Sequence, residues 1–516
     1  MEVLQGLIAL LVLVSPLAWW FVAWQRKRRR DNEEINARVD AHAAEEGRVD
    51  EAQDATDLWL SIRDSFPFVP TPAVSDLSGE GIREAILSTL SVFPSLGTFG
   101  SLPAPLLPAP ERRRHLYVCG KTGAGKSTYL EHLIVSDMAA GRGVGVLGPE
   151  GDFFRRLLSF IPPGREGDLI YFAPGTSDCP LSWNPLALEV GDDQAKAAED
   201  LFTIFKRTLA DDLGPRMEPI LQNAFAVLVG REGATFWDVR RIVTDPLLRR
   251  EVTEGADPYV RSFWRDTYPR FPEGAALPIL SRLDQFLRPP SVRRAICRKQ
   301  SSFSFRSILR ERKILFVDLS GLSEETRLLL GQMVLSKFAL ELIRRERGAS
   351  DAEDFYLHCD EFQSFAGVSE SLWRELLSRG RKYGLALTLA NQYPGQLPPP
   401  LQAEIFGNVN SLVAFALGRK DADAVRRELL MRRVSKGEEK IEPVPAESLL
   451  ELPVGSAIAK YGGGRAVRLS MPLPLRASDK HAERIMRESW QKYQRPDEPS
   501  DRGEPLVAKE PESFLE

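Results

Sequence analysis

The chain has 516 residues, 43% of them hydrophobic, and a formal net charge of −4. That is enough apolar material for a large core in two or more folded units, and the charge excludes a globally basic nucleic-acid binder, so any such surface must be local. The four cysteines, Cys119, Cys179, Cys297 and Cys359, lack metal-ligand spacing and suit a reducing compartment, with Cys119 and Cys359 acting as small hydrophobes in core strands.

At the amino terminus, Val3 to Trp24 form an apolar run interrupted only by Gln5, Gly6, Ser15 and Pro16. About 22 helical residues span roughly 33 Å, enough for a ~30 Å hydrocarbon core. Trp19, Trp20 and Trp24 gather at its end, and Arg26-Lys27-Arg28-Arg29-Arg30 follows. This order predicts a single transmembrane helix with the body in the cytoplasm; a cleaved signal peptide would carry its basic flank on the other side and a small-residue cleavage site. Residues 1–30 are therefore read as anchor and basic flank. Residues 31–110 read as a charged, then Pro-rich stalk or linker, with a short helix at Gly81–Val92 and a stiff extended run at Leu102–Pro110.

The first part of a nucleotide-binding domain is expected over 111–190. It opens with the strand His115–Cys119, the loop Gly120-Lys121-Thr122-Gly123-Ala124-Gly125-Lys126-Ser127-Thr128 and the helix Tyr129–Val135. Strand, Gly-rich turn and helix in this order mark a phosphate-binding loop. Gly120, Gly123 and Gly125 are expected to let the backbone curl with its N–H groups inward, through positive φ. Thr122, Ala124 and Thr128 complete the loop around the phosphates. Lys126 supplies charge at the β/γ-phosphates and the Ser127 hydroxyl a ligand for Mg²⁺. Gly143–Leu147 and Leu169–Phe172 are the next buried strands, the former opening onto the turn Gly148–Phe153.

From 191 to 309 the apolar spacing is helical, with helices expected at Ala195–Leu209, Pro219–Val229, Phe236–Val243, Tyr259–Asp266 and Pro278–Phe286. This predicts an all-α insertion domain. The nucleotide-binding domain resumes over 310–475. Its strands are Lys313–Leu319, Asp354–Glu361, Leu385–Ala390, Ser411–Ala416 and Ser456–Tyr461, with helices at Glu324–Arg344 and Glu370–Arg379 between them. The alternation predicts an α/β fold with a mainly parallel sheet, and ligands at its carboxyl edge. Residues 476–516 hold a last helix, Asp479–Tyr493, and a Pro/Glu/Asp-rich tail expected to be disordered.

Two acids end the strand before 361. Asp360 is suited to hold Mg²⁺ through its water shell, and Glu361 to take the proton of the attacking water. At the end of the next strand Asn391-Gln392 offers a neutral amide to the γ-phosphate and that water, with Gln392 the candidate. Arg381, then Arg379, are candidates for an arginine reaching the triphosphate of a neighbouring subunit; Arg216 is a weaker third.

Together these residues resemble the FtsK–HerA superfamily of DNA-pumping ring ATPases, and within it the coupling proteins of type IV secretion and conjugation, the TraG/TraD type. The resemblance covers about 111 to 472. It rests on the phosphate loop, Gly148–Asp152, Gly214–Glu218, Cys359–Phe362, Arg381–Leu385 with Ala390–Tyr393, and Gly418–Ala422. It implies a RecA-like P-loop ATPase using ATP and Mg²⁺, membrane-anchored and homohexameric. DNA would pass through a central pore without sequence specificity, and a relaxase or secretion-channel protein would be a partner. Such relatives usually carry an acid where this chain has Gly148, leaving Glu150 and Asp152 as that turn's carboxylates, and many have two membrane spans. Two other readings stay open: a nucleotide-switched platform recruiting secreted proteins, and a tethered HerA-type DNA-processing helicase.

Overall fold

The computed structural model describes residues 98–99, 102–103 and 112–495, apart from 190, 209–216, 273, 346–353, 367–369, 436–437, 465, 472–473 and 476. The apolar run 3–24, the stalk helix at 81–92, Arg216 and the acidic tail lie outside the described residues. Among those described, no helix is long and apolar enough to cross a membrane.

One eleven-stranded sheet organises the chain. Its strands are β1 (Thr98–Phe99), β2 (Leu102–Pro103), β3 (Leu116–Cys119), β4 (Gly143–Gly148), β5 (Leu169–Phe172), β6 (Ile314–Asp318), β7 (Phe355–Cys359), β8 (Leu385–Asn391), β9 (Ser411–Ala414), β12 (Ser456–Lys460) and β13 (Val467–Ser470), while β10 (Leu430–Ser435) and β11 (Glu438–Pro443) form a separate hairpin. The spatial order is β2-β1-β13-β12-β9-β3-β8-β7-β4-β6-β5. From β9 to β5 every pairing is parallel, and these strands are buried at every residue. Their unbroken apolar runs follow from that two-sided cover, since helices lie on both faces of a parallel sheet. At the other end β12, β13, β1 and β2 pair antiparallel. The sheet therefore reaches back into residues read above as linker: Leu102-Pro103 is its outermost strand, a place where a proline's missing N–H costs no ladder bond.

The opposite edge, β5, is closed by the helix Asp479–Tyr493. Ser489 Oγ accepts from the Tyr171 N–H (3.0 Å) and donates to the Leu169 carbonyl (2.9 Å), while Trp490 Nε1 donates to the Tyr171 carbonyl (3.0 Å) and its ring stacks on Tyr171. Side chains thus occupy backbone groups that would otherwise template another strand.

Between β5 and β6 every described secondary-structure element is helical. Gln194–Thr208, Met217–Leu228, Phe236–Thr244 and Leu277–Leu287 match expected helices, and Pro258–Ser262 continues as a π-turn to Thr267. Three further helices, Pro246–Thr253, Pro290–Ile296 and Phe305–Arg310, are short and start at proline or behind a capping Ser304. Phe205, Phe225, Phe236 and Phe286 pack as one aromatic knot at this unit's centre. Charged pins join it to the long helix Glu324–Arg345: Lys337 Nζ meets Asp192 at 2.9 Å and Glu341 at 2.8 Å, and Arg306 meets the same two acids.

Candidate active site

The phosphate loop connects β3 to the helix Lys126–Ala139 at the carboxyl edge of the sheet. Three neighbours fix it through backbone bonds: Gly120 N–H donates to the Gln392 carbonyl (3.0 Å), Lys121 N–H to the Ala416 carbonyl (2.8 Å), and Gly455 N–H to the Ala124 carbonyl (2.9 Å). Gly123 and Gly125 adopt φ of 77° and 116°, which an L side chain resists. Gly120 does not, contrary to the expectation for all three glycines. Its side chain is excluded because a Cβ there would stand 2.4 Å from Phe415 Cβ. No side chain caps the helix that follows, and no acid occupies its first turn, so the positive end faces the loop. Thr122 and Ser127 are exposed, Thr128 half-buried and Ala124 buried.

Asp360 and Glu361 stand beyond β7, separated from the loop's strand by β8. Lys126 Nζ and Glu361 Oε1 form an ion pair at 2.9 Å, with 5% and 9% of the side chains exposed. The motif lysine and the candidate base, 235 residues apart in sequence, are thus in direct contact. Glu361 has a left-handed backbone, φ 43°. Its N–H donates to Asp360 Oδ1 (3.0 Å), and Gln363 Nε2 donates to its Oε2 (2.5 Å). Phe362, wholly buried against Tyr117 and Trp373, anchors the turn from behind. Burial pushes Asp360 up to about 7; Lys126 opposes this, and Glu361 and Glu150 add to it. A divalent cation against Asp360 would reverse that balance. The exposed Ser127 hydroxyl could offer such a cation one oxygen directly and Asp360 could hold it through its water shell; Mg²⁺ characteristically takes one or two ligands from protein and the rest from phosphates and water. Among the described residues no cluster of His, Cys, Asp and Glu could hold a metal without such help.

The two amides at the end of β8 are placed differently. Asn391 is fully buried, accepting from Tyr117 Oη (2.7 Å) and donating to the Tyr393 carbonyl (2.9 Å), so it is structural. Gln392 is half-buried beside the loop that its carbonyl holds. At Gly148 a Cβ would lie 3.4 Å from the Asp360 carbonyl oxygen and 3.5 Å from its Cβ, so a larger side chain would crowd Asp360. Of the turn's carboxylates, exposed Glu150 is the one whose charge acts on Asp360, and Asp152 lies exposed in the first turn of helix Gly151–Leu158.

Arg379 and Arg381 are not brought to this site. They precede β8 and therefore lie at the amino edge; the seven residues of β8 put roughly 20 Å between them and Gln392. Both are exposed, and Arg379 makes a 4.0 Å pair with Glu375. A third carboxylate of the sheet's carboxyl edge, Asp318, was not singled out from sequence. It repeats the pattern of an apolar run ending in an acid, and it is used structurally, by Tyr171 Oη (2.7 Å) and the Ser320 N–H (2.9 Å).

A family described as the type IV secretion-system coupling protein DNA-binding domain matches residues 98–417. Among solved structures, the chain is similar to the bacterial conjugative coupling protein TrwBΔN70 in an unbound monoclinic form, with 17% identity, TM-score 0.55, and 75% of this chain and 90% of that one covered. It is similar to TrwB in complex with the non-hydrolysable ATP analogue ADPNP (18%, 0.55, 75% and 91%) and with ADP and Mg²⁺ (17%, 0.55, 75% and 90%). At such identity the likeness is one of fold. No functionally curated protein matches the sequence.

Proposed function

This chain belongs to the family of type IV secretion-system coupling protein DNA-binding domains, and from that premise we propose that it is an ATP-hydrolysing, membrane-anchored DNA translocase that couples substrates to a secretion channel. The observation that carries the reading is the buried Lys126–Glu361 pair, which puts charge donor and candidate base at one point of the carboxyl edge. The complexes described for TrwB, with ADPNP and with ADP and Mg²⁺, support ATP and Mg²⁺ as this chain's ligands.

An arriving triphosphate takes Lys126 for its β/γ-phosphates, while the inward N–H groups and the helix end receive the remaining charge. Ser127, and Asp360 through the ion's water shell, would hold Mg²⁺, which when bound would supply positive charge against that developing on the phosphoryl group. Released from the lysine, Glu361 is free to accept a proton from water. Gln392 meets the γ-phosphate and transmits its loss to β8 and the loop. Arg381, too far from its own site, serves the next protomer of a homohexamer, with Arg379 as the alternative. DNA then runs through the central pore on phosphate contacts, indifferent to sequence and weakened by salt. The apolar run 3–24 anchors the ring at the inner membrane, and a relaxase or channel protein delivers substrate.

The test is ATP turnover by the full-length chain in detergent, with and without DNA, at low and high salt. DNA stimulation that salt abolishes, and that Lys126→Ala removes, is expected. Turnover indifferent to DNA would overturn the translocase and favour the recruitment platform, and strand separation would point to the tethered helicase.

A further inference from the structure

His115 is the residue before β3, and the fold holds it in an unusual way. Its φ is 64°, a left-handed conformation that a non-glycine residue adopts at a cost of order 1 kcal/mol. The ring is buried, 1% exposed. Nδ1 accepts the N–H of Leu387, in β8, at 3.1 Å. A neutral imidazole that accepts at Nδ1 carries its proton on Nε2, and the buried Nε2 has no hydrogen bond of ordinary geometry.

That unused donor sits against the segment carrying the two candidate arginines. A Cβ on Gly380 would lie 3.4 Å from His115 Cε1, the ring carbon between the two nitrogens. The tightest neighbour of that Cβ would be Leu385 Cδ2, at 3.1 Å, so the turn Gly380–Tyr383 lies packed against both the ring and β8. The turn ends at Gly384, φ 74°, whose N–H returns to the Arg381 carbonyl at 3.2 Å. Burial, partly offset by the Leu377 carbonyl and reinforced by the Arg381 charge, holds the histidine down to about 4, so it is neutral at any working pH. The same residue is the root of the four-residue strand that ends at the phosphate loop.

We propose that His115 is a positioning residue for the arginine offered to the neighbouring protomer: its imidazole ties the 377–384 turn to the foot of β3, so that the strand feeding one phosphate loop also sets the reach of Arg381 toward the next. This rests on the proposed action of Arg381 in trans, and the experiment separates the two.

His115→Asn keeps what folding needs. Asparagine tolerates the left-handed backbone, its Oδ1 can take the Leu387 N–H in place of Nδ1, and what is lost is the ring edge that lies against Gly380. Gly380→Ala, whose Cβ would press on Leu385 Cδ2 at 3.1 Å and touch His115 Cε1 at 3.4 Å, loads the same turn from the other side and serves as the second variant. With a parental melting midpoint, each should keep KM for ATP within about twofold while kcat falls by about tenfold, as expected for a misplaced transition-state group. Each is then mixed in equal amounts with Glu361→Gln full-length chain. In a head-to-tail ring with independent sites, about one site in four pairs an intact Glu361 with an intact arginine turn, so turnover should rise to about a quarter of the parental value. A purely structural role predicts dilution instead, to about a twentieth. Arg381→Ala mixed in the same way is the reference. Recovery there with none for His115→Asn and Gly380→Ala overturns the inference and leaves the trans arginine standing; no recovery for Arg381→Ala overturns the trans reading itself. A parental kcat in both variants also overturns the inference.

Discussion

Replacing Glu361 by glutamine tests whether the pair it makes with Lys126 is the lock that a nucleotide opens. At 2.9 Å, with both side chains nine-tenths buried, an effective dielectric of ~20 gives a gross attraction of about 6 kcal/mol. A triphosphate returns most of that by offering the lysine a stronger anion. What it does not return is the carboxylate, left beside phosphate charge in a site with little water. Glutamine removes that repulsion and the competing anion together, so nucleotide affinity should rise by about 1–2 kcal/mol, or roughly 5–30-fold. Without nucleotide the buried ammonium loses its partner, and such a loss typically destabilises by about 3 kcal/mol. The variant should therefore melt earlier than the parent alone and gain more from nucleotide. Hydrolysis should drop at least ~100-fold, the usual cost of losing a general base. Equilibrium titration with a fluorescent ATP analogue, melting midpoints with and without nucleotide, and phosphate release measure all three. Affinity no higher than the parent's, with an unmoved midpoint, would refute the lock; parental turnover would place the base elsewhere.

Gly120→Ala and Gly123→Ala separate two reasons for glycine in the loop. At 120 the new Cβ meets Phe415 Cβ at 2.4 Å, so melting should fall as for an overpacked core, by about 1–3 kcal/mol, with nucleotide affinity falling too; at 123 nothing lies within 4 Å, and only the positive φ costs about 1 kcal/mol. Equal midpoints would contradict the packing argument. Asp137 is fully buried and accepts from Arg112, Arg142 (2.8 Å) and His358 (3.0 Å). Burial alone would raise its pKa; Arg112, His358 and Arg142 more than reverse this and hold it well below the carboxylate range. A folded-state pKa below the unfolded value, about 3.9, adds stability that is present above that pH and lost as pH falls through the folded value. Midpoints measured from pH 5 downward should therefore slope less in Asp137→Asn than in the parent, and the variant should already melt earlier at pH 7.

Where the chain alternates unbroken apolar runs with helical spacing, its elements could be read closely. Leu169–Phe172 and Asp479–Tyr493 have the same limits in sequence and structure, because Gly, Pro or a capping Ser brackets each. The β10–β11 hairpin gave no such signal: Arg432, Arg433, Glu438, Glu439 and Lys440 show no apolar alternation, and the pairing is exposed to water at Ile441. Pro246–Thr253 and Pro290–Ile296 are too short to establish a helical period. In the site, motif spacing singled out Lys126 and Ser127 after one strand and Asp360 and Glu361 after another. It could not show that Lys126 and Glu361 touch, nor that Phe415, almost three hundred residues on, is what forbids a side chain at Gly120. Both are consequences of strand order, which a linear pattern does not contain.

Strand order also accounts for the division of labour proposed for the ring. Parallel strands put all their carboxyl ends on one edge, so β3, β7 and β8 necessarily assemble Gly125, Lys126, Asp360, Glu361 and Gln392 there. The same parallelism sends whatever precedes β8 to the other edge, and Arg381 cannot reach its own site without dissolving the strand behind it. In the proposed ring, an arginine exposed on one edge and a lysine locked to a glutamate on the other would be complementary halves of one catalytic centre. Such halves meet only when copies associate head to tail, an arrangement that closes into a ring when the rotation permits. If Arg381 instead served only local solubility, nothing would require a strained, buried histidine against its turn. The cost of holding His115 at φ 64° is therefore the strongest sign that the position of this turn matters.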